Sequence, residues 1–414
     1  MTSSDGDMSR AVPVDADVPF LLGELGVDPL AGEARTEAVV VTDISPREAA
    51  AGSDGERTAR LRELTARICR GLTALGPEGW TRMEAVFALT VAAEAGYVGF
   101  VDDQERVARV EPPGDVLAAL REHRALSAAD GDGPWWRLLI GADAQGAVEL
   151  LPDAGEDPFP DDQLFEPEVY REDLRVFPRR RLPVWLAAYV WHDGRQVRTP
   201  RQAAAAARSA SAPPTPMSGL PDLPALWGRW AVIAAAFLAI GSPRGPGVAP
   251  ALAWYEDEWR SGSSLFVLPD GRAVLSGGVS EAPELDAAYN IGGALPDLYA
   301  GAPVWVADPV LDPRSRAGLL SFCYWWTGDR WYRGGAESDP GPALPAVHGA
   351  AAAAAALADL LETKVPPVEA ISNLIGAAEA RRVRRQDLAA VFADPDHDLD
   401  SAYYQLIIAG VTVD

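Results

Sequence analysis

The stretch GLLSFCYWWTGDRWYRG, residues 318–334, carries six aromatic rings in seventeen positions, and its reading sets how the rest of the chain is read. A strand sends alternate side chains to opposite faces, so Phe322, Tyr324 and Trp326 share one face while Cys323 and Trp325 share the other. Large apolar groups on both faces are what a central strand needs when it is covered on both sides. Trp331 and Tyr332, beyond the turn, are placed to pair with it as cross-strand neighbours. Two other uses are a contact patch for a protein and a stacking platform for bases or sugars. Single-strand binders combine stacked rings with a basic groove, and this chain supplies the rings without the charge.

Composition narrows the function classes. With 414 residues and 48% hydrophobic character the chain can bury a large core in two or three domains. Its 36 basic and 60 acidic residues leave a net charge of −24, which opposes phosphate backbones and anionic membrane surfaces and makes a basic partner the natural complement. Lys364 is the single lysine, so phosphate-loop and Schiff-base chemistry have one position at which to occur. The two cysteines, Cys69 and Cys323, lie far apart and suggest no disulfide framework, which fits a reducing cytoplasm. Residues 1–20 are polar and acidic, with no apolar segment of a secretory signal. The longest apolar run, WAVIAAAFLAIG at 230–241, is short of the roughly 20 residues that span a bilayer and reads as a buried helix.

Periodicity gives an α+β organisation of two lobes, each with a mainly antiparallel sheet and flanking helices, followed by a C-terminal helical segment. Residues 1–55 read as a loose extension in which only EAVVV at 37–41 resembles a strand. A first α+β domain is expected over 56–206. It opens with a helix whose Leu61, Leu64, Ile68 and Leu72 share a face, and Gly76 and Pro77 stop that helix. MEAVFALTVAAE and GYVGFVD follow as strands, PGDVLAALREHRAL as a helix, and two apolar runs around Asp143–Gly146 as a hairpin. ARSASAPPTPMSGLPDLP, 207–224, reads as a Pro/Ser-rich linker. A second domain over 225–414 has a buried helix, three strands, the aromatic stretch and a helical cap from Leu344. LPVWLAAYVWHDGRQVR, 182–198, echoes the aromatic stretch: an apolar β run, a turn with Asp and Gly, and an Arg-bearing return. Duplication of one α+β unit would explain the echo, and two unrelated domains would equally produce it.

Reactive constellations are sought next. The histidines at 123, 192, 348 and 397 stand at no zinc spacing, and there is no nucleophile elbow, dinucleotide loop or phosphate loop, so neither a metal nor a cofactor is implied. DPDHDLD at 394–400 alternates carboxylates like a calcium loop. Leu399, however, stands where that loop needs Gly and Gln405 where it needs a bidentate Glu, so a helix-capping turn fits better. WYEDEW at 254–259 offers Glu256, Asp257 and Glu258 for acid and base work, against the reading of a strand with outward acids.

The most unusual charged region is PDAGEDPFPDDQLFEPEVYRED, 152–173, in which four prolines stiffen a run of acids interleaved with Phe159, Phe165 and Tyr170. Aromatic anchors within a negative field suit a contact with a basic protein, since anchors give affinity and the field speeds encounter. The candidate partner-binding residues are Asp153, Glu156, Asp157, Phe159, Asp161, Asp162, Phe165, Glu166 and Tyr170. A solvated loop that aids solubility is the alternative.

From Leu61 to Tyr189 the order of elements resembles the YezG-type immunity proteins of bacterial polymorphic toxin systems. The likeness rests on the opening helix, LGPEGWTRMEAVFALTVAAEAGYVGFV, and the Trp-initiated hairpin WWRLLIGADAQGAVELLPDAGEDPFPDDQ with its acidic tail. The alanine-rich strands and the DAQG turn depart from that pattern, and residues 219–414 lie outside it. The resemblance implies a cytoplasmic, non-catalytic protein that binds and blocks a toxin, its acids covering a cationic active-site cleft. The rival expectations are an enzyme with Glu256, Asp257 and Glu258 in an interlobe cleft, and a scaffold component.

Overall fold

A computed structural model describes residues 39–40, 52–128, 132–209, 213–242, 244–335, 339–361 and 365–413. The chain divides into two compact units, Met1–Ser127 with Trp135–Phe165, and Ala128–Pro134 with Glu166–Asp414. Both are α+β. Most of the extension expected over 1–55 lies outside the described residues. Its strand-like run supplies β1 (Val39–Val40), paired antiparallel with the strand Val148–Asp153.

The first unit contains α1 (Gly52–Thr73), β2 (Trp80–Leu89), β3 (Glu94–Asp102), β4 (Val107–Val110), α2 (Gly114–Ser127), β5 (Arg137–Asp143) and β6 (Val148–Asp153). Its six-stranded antiparallel sheet has the order β1-β6-β5-β2-β3-β4. Alternation along β2 turns Met83, Ala85, Phe87 and Leu89 to one face, where they meet Leu64, Ile68 and Leu72 of α1 and Val116, Ala119 and Leu120 of α2. The two helices are tied by Arg60, whose Nε and second guanidinium nitrogen donate to the two oxygens of Glu122 at 2.7 and 3.0 Å.

The second unit begins with α3 (Pro167–Val176), α4 (Val184–Trp191) and α5 (Pro200–Ser209). Its seven-stranded sheet, ordered β7-β13-β12-β11-β10-β9-β8, comprises β7 (Thr215–Pro216), β8 (Gly247–Ala249), β9 (Leu252–Glu256), β10 (Gly262–Leu268), β11 (Arg272–Gly278), β12 (Phe322–Trp326) and β13 (Trp331–Arg333). The remaining helices are α6 (Leu223–Ala239), α7 (Pro283–Asn290), α8 (Ala350–Leu360), α9 (Val368–Glu379), α10 (Arg385–Val391) and α11 (Leu399–Ile408).

β12 is the central strand that the aromatic stretch predicts, and all five of its residues are buried. Phe322, Tyr324 and Trp326 enter a core built by α6, α8, α9, α10 and α11, while Cys323 and Trp325 enter a second core on the opposite face. Trp331 and Tyr332 pair with Trp326 and Trp325 respectively, and the facing rings lie 5.4 and 6.5 Å apart. The second core has a cover without regular structure over most of its length, residues 291–321. Leu298, Tyr299, Val306, Leu311 and Leu320 of that cover pack on Val274, Cys323 and Trp325.

Three expectations are corrected. The 182–198 stretch does not form a hairpin: Pro183 starts α4, and Leu186, Ala187 and Ala188 are strong helix formers buried along it. The echo of the aromatic stretch therefore joins a helix to a hairpin. The sheets also differ in connection, since the strand after the crossover helix joins the first strand of the preceding meander in one unit (β5 on β2) and the last in the other (β12 on β11). The presumed linker at 207–224 is not where the units divide. It supplies β7, which pairs with β13, and the Pro221 carbonyl accepts from Trp331 Nε1 at 2.7 Å. Finally, the C-terminal helices are more than a cap, because their residues are part of the larger core, with Trp227 Nε1 donating to the Ala409 carbonyl at 2.8 Å.

No helix among the described residues is long and apolar enough to cross a membrane, and the apolar α6 is buried within the second unit. Trp325→Ala is expected to lower unfolding stability by about 3–5 kcal/mol in denaturant titrations, since it opens a cavity between sheet and cover. Trp259→Ala, at a ring that is 56% exposed, should stay within about 0.5 kcal/mol of wild type.

Candidate functional site

The acidic segment is organised by a residue outside it. Arg137 of β5 donates from Nε and a terminal nitrogen to Asp153 Oδ2 at 2.8 and 2.5 Å, and from its other terminal nitrogen to Gln163 Oε1 at 2.7 Å. Its guanidinium carbon lies 4.8 Å from the centre of the Phe159 ring. One arginine thus holds both ends and the middle of residues 153–163, and the other Asp153 oxygen accepts from the Gly155 amide at 2.7 Å. The Arg137 and Asp153 side chains are 12% and 16% exposed, so removing either partner leaves a largely desolvated charge and costs more than breaking a surface ion pair.

This arrangement separates the predicted partner-binding residues into two kinds. Glu156, Asp157, Asp161, Asp162 and Glu166 are exposed. Phe159 and Tyr170 are buried, Phe165 is half-buried, and Tyr170 packs edge-on against Tyr189 at 6.2 Å. Two of the three rings expected as surface anchors, Phe159 and Tyr170, therefore face inward, because each buried ring is worth more in its own unit's core than in water. Asp153 is spent on Arg137. Glu166 and Tyr170 belong to the second unit, where Glu166 precedes Pro167 at the start of α3. What remains in the first unit is a stiffened ledge bearing four exposed carboxylates.

The acids of WYEDEW do not converge. Only Glu256 lies in the strand, and its oxygens bind Arg314 at 2.7 Å and Arg260 at 3.3 Å. Asp257 closes the turn to β10 by accepting from the amides of Trp259 and Ser261 at 2.9 and 2.7 Å, while burial raises its carboxyl above the usual range. Glu258 is exposed. Their roles are local: the Glu256–Arg314 pair ties the end of β9 to the cover.

A buried polar cluster that no motif marks sits in the second unit. Asp312, 1% exposed, accepts from the Tyr299 hydroxyl at 2.9 Å and from Cys323 Sγ at 3.4 Å. Ser276, opposite Cys323 in the register of β11 and β12, donates to the Leu311 carbonyl at 2.8 Å. Burial pushes the Asp312 carboxyl up to about 7, against the lowering effect of the hydrogen bonds it accepts. Burial also raises the Cys323 thiol well above its ordinary value, which keeps it a neutral donor. The four residues come from the cover and two strands, so no local spacing in the sequence could have announced them.

The half-buried His123 and the buried His192 are structural. His123 accepts from Trp135 Nε1 at 3.2 Å and His192 Nε2 accepts from the Gln196 amide at 2.9 Å, and burial lowers the pKa of both. Asp398 caps α11 by accepting from the Ser401 amide at 2.9 Å, the capping role read for DPDHDLD. Among the described residues no group of three or more His, Cys, Asp or Glu side chains could hold a metal ion. An open groove of about 450 Å³ between the starts of α9 and α10 includes Glu369 and Asp387, but the Asp387 carboxylate already accepts from the Arg384 amide at 2.8 Å.

No protein-family model and no curated protein matches this sequence. The fold and the site together define an α+β protein of two antiparallel-sheet units, the first of which carries an acidic ledge of four exposed carboxylates.

Arg137→Ala should lower stability by about 2–4 kcal/mol, since it leaves Asp153 half-buried without its cation. Amide exchange should show the loss as faster exchange over residues 154–163. Asp157→Asn, which removes an exposed charge, should change stability by no more than about 0.5 kcal/mol.

Proposed function

We propose that this protein is a non-catalytic binding protein that captures a basic protein partner on the ledge formed by Glu156, Asp157, Asp161 and Asp162. The observation that carries the reading is the contrast within one segment: the Phe159 ring is turned inward while Glu156, Asp157, Asp161 and Asp162 stay in water on a backbone held by Arg137. A segment serving solubility alone needs no such anchoring. Holding the charges in place removes the ordering cost that a loose acidic loop would meet on binding. With the aromatics withdrawn, recognition rests on charge rather than apolar anchors, so the net −24 steers encounter and the ledge sets where the partner lands.

The resemblance of residues 61–189 to YezG-type immunity proteins points to a toxin domain as that partner, met in the cytoplasm. A cleft built to hold phosphate is lined with cations, and carboxylates fixed at the spacing of a ledge can fill it, so a nuclease suits the chemistry best.

The test is co-purification from the native cells followed by binding kinetics with the captured basic protein. Replacing Asp157, Asp161 and Asp162 together by Asn should slow association at least about tenfold at low ionic strength. The gap should close towards 1 M salt, where the screening length falls to about 3 Å. Equal association rates for the two proteins at low salt would rule the ledge out as the contact.

A further inference from the structure

The cover over the second sheet face is held by few regular backbone hydrogen bonds. Beside a backbone bond from the Ser321 amide to the Gly277 carbonyl at 2.9 Å, it is attached by side-chain clamps: Gln196 exchanges two hydrogen bonds with the backbone of Leu320 at 2.8 and 3.0 Å, Tyr289 donates to the Gly318 carbonyl at 2.7 Å, and Arg314 binds Glu256. At Gly278 the Leu319 carbonyl lies where a side chain would stand, so the returning end of the cover sits directly on β11. The stretch between Tyr299 and Leu311 is attached differently, through Asp312 and its neighbours.

We propose that residues 291–321 are a proton-controlled cover, latched over Val274, Cys323 and Trp325 while the Asp312 carboxyl is neutral and loosened when it ionises. This device is independent of the acidic ledge and lies in the other unit.

The groups around the latch decide its sign. Tyr299 donates to Asp312 from the cover and Cys323 from β12. Ser276 faces it from β11, and Asp308, earlier in the cover, adds a like charge that disfavours ionisation. Two arginines of this region are engaged elsewhere: Arg198 lies over the Tyr299 ring at 4.8 Å and Arg314 binds Glu256. The neutral hydroxyls and thiol of Tyr299, Ser276 and Cys323 lower the carboxyl's pKa but do not offset the removal of a carboxylate from water without a cation beside it. Asp312 therefore holds its proton to about pH 7 when the cover is closed, and loses it near pH 4 when the cover opens to water. A folded value above the open one means that the contribution to closure is complete below about pH 4. It declines as the pH rises, and is gone once the pH has passed about 7. Above that point the closed state holds a buried charge, and opening exposes an aromatic sheet face.

Amide exchange on the full chain, corrected for intrinsic rates, reads the latch at Ala302, Val306, Leu311 and Asp312, whose amides are all hydrogen-bonded within the cover. Protection at these sites should fall about 100-fold from pH 5 to pH 8, while the amides of α9 serve as an internal reference. Asp312→Asn should remove this pH dependence. Tyr299→Phe deletes a donor to the carboxylate, so it should carry the upper end of the decline to higher pH, and it decides the matter should the Asn variant fail to fold. A pH profile unchanged in Asp312→Asn, or a Tyr299→Phe profile that stays in place or moves to lower pH, would overturn the proposal.

Discussion

Five consecutive residues of β12 place large side chains on both faces of one strand, and neither face can be left in water. Burying Phe322, Tyr324 and Trp326 demands a full layer on one side, and burying Trp325 and Cys323 demands a second layer on the other. The second unit answers each demand by different means. Helices α6, α8, α9, α10 and α11 make the first layer, and Gly228 lets α6 approach the α9 backbone at Ala378 closely. The irregular cover makes the second, and because its backbone forms few repeating hydrogen bonds it must be held by side chains. The clamps from Gln196, Tyr289, Arg314 and Asp312 follow from that constraint.

The same requirement explains what became of the sequence between the two units' sheets. Residues whose Pro and Ser content suggests a linker are drawn in as β7 because the open edge of β13 accepts another strand. The apolar run at 184–191 becomes a helix rather than a hairpin strand, since its Leu and Ala favour helix.

In the first unit a single arginine performs the comparable role at smaller scale. Arg137 is set in β5, so its position is fixed by the sheet, and it converts a run of acids and prolines from loose chain into an ordered ledge. Charge distribution in this protein is therefore of two kinds. Exposed carboxylates on the ledge act outward through a long-range field, whereas Asp312 acts inward, where the surrounding apolar atoms magnify the effect of one proton.

Much of this was legible in the chain itself. Period-two alternation in β12 announced a strand covered on both faces, three- and four-residue spacing in α1 announced its buried stripe, and the carboxylate count announced the sign of the surface. These are properties of neighbouring residues, and neighbours are what a sequence displays. Which rings of 152–173 faced inward was not legible, because Arg137 lies outside the segment and reaches it only across a hairpin. The meeting of Tyr299, Asp312 and Cys323 was equally hidden. It depends on the cover folding back over β12, so the desolvation that gives Asp312 its character exists only once residues distant in the chain have been packed around it.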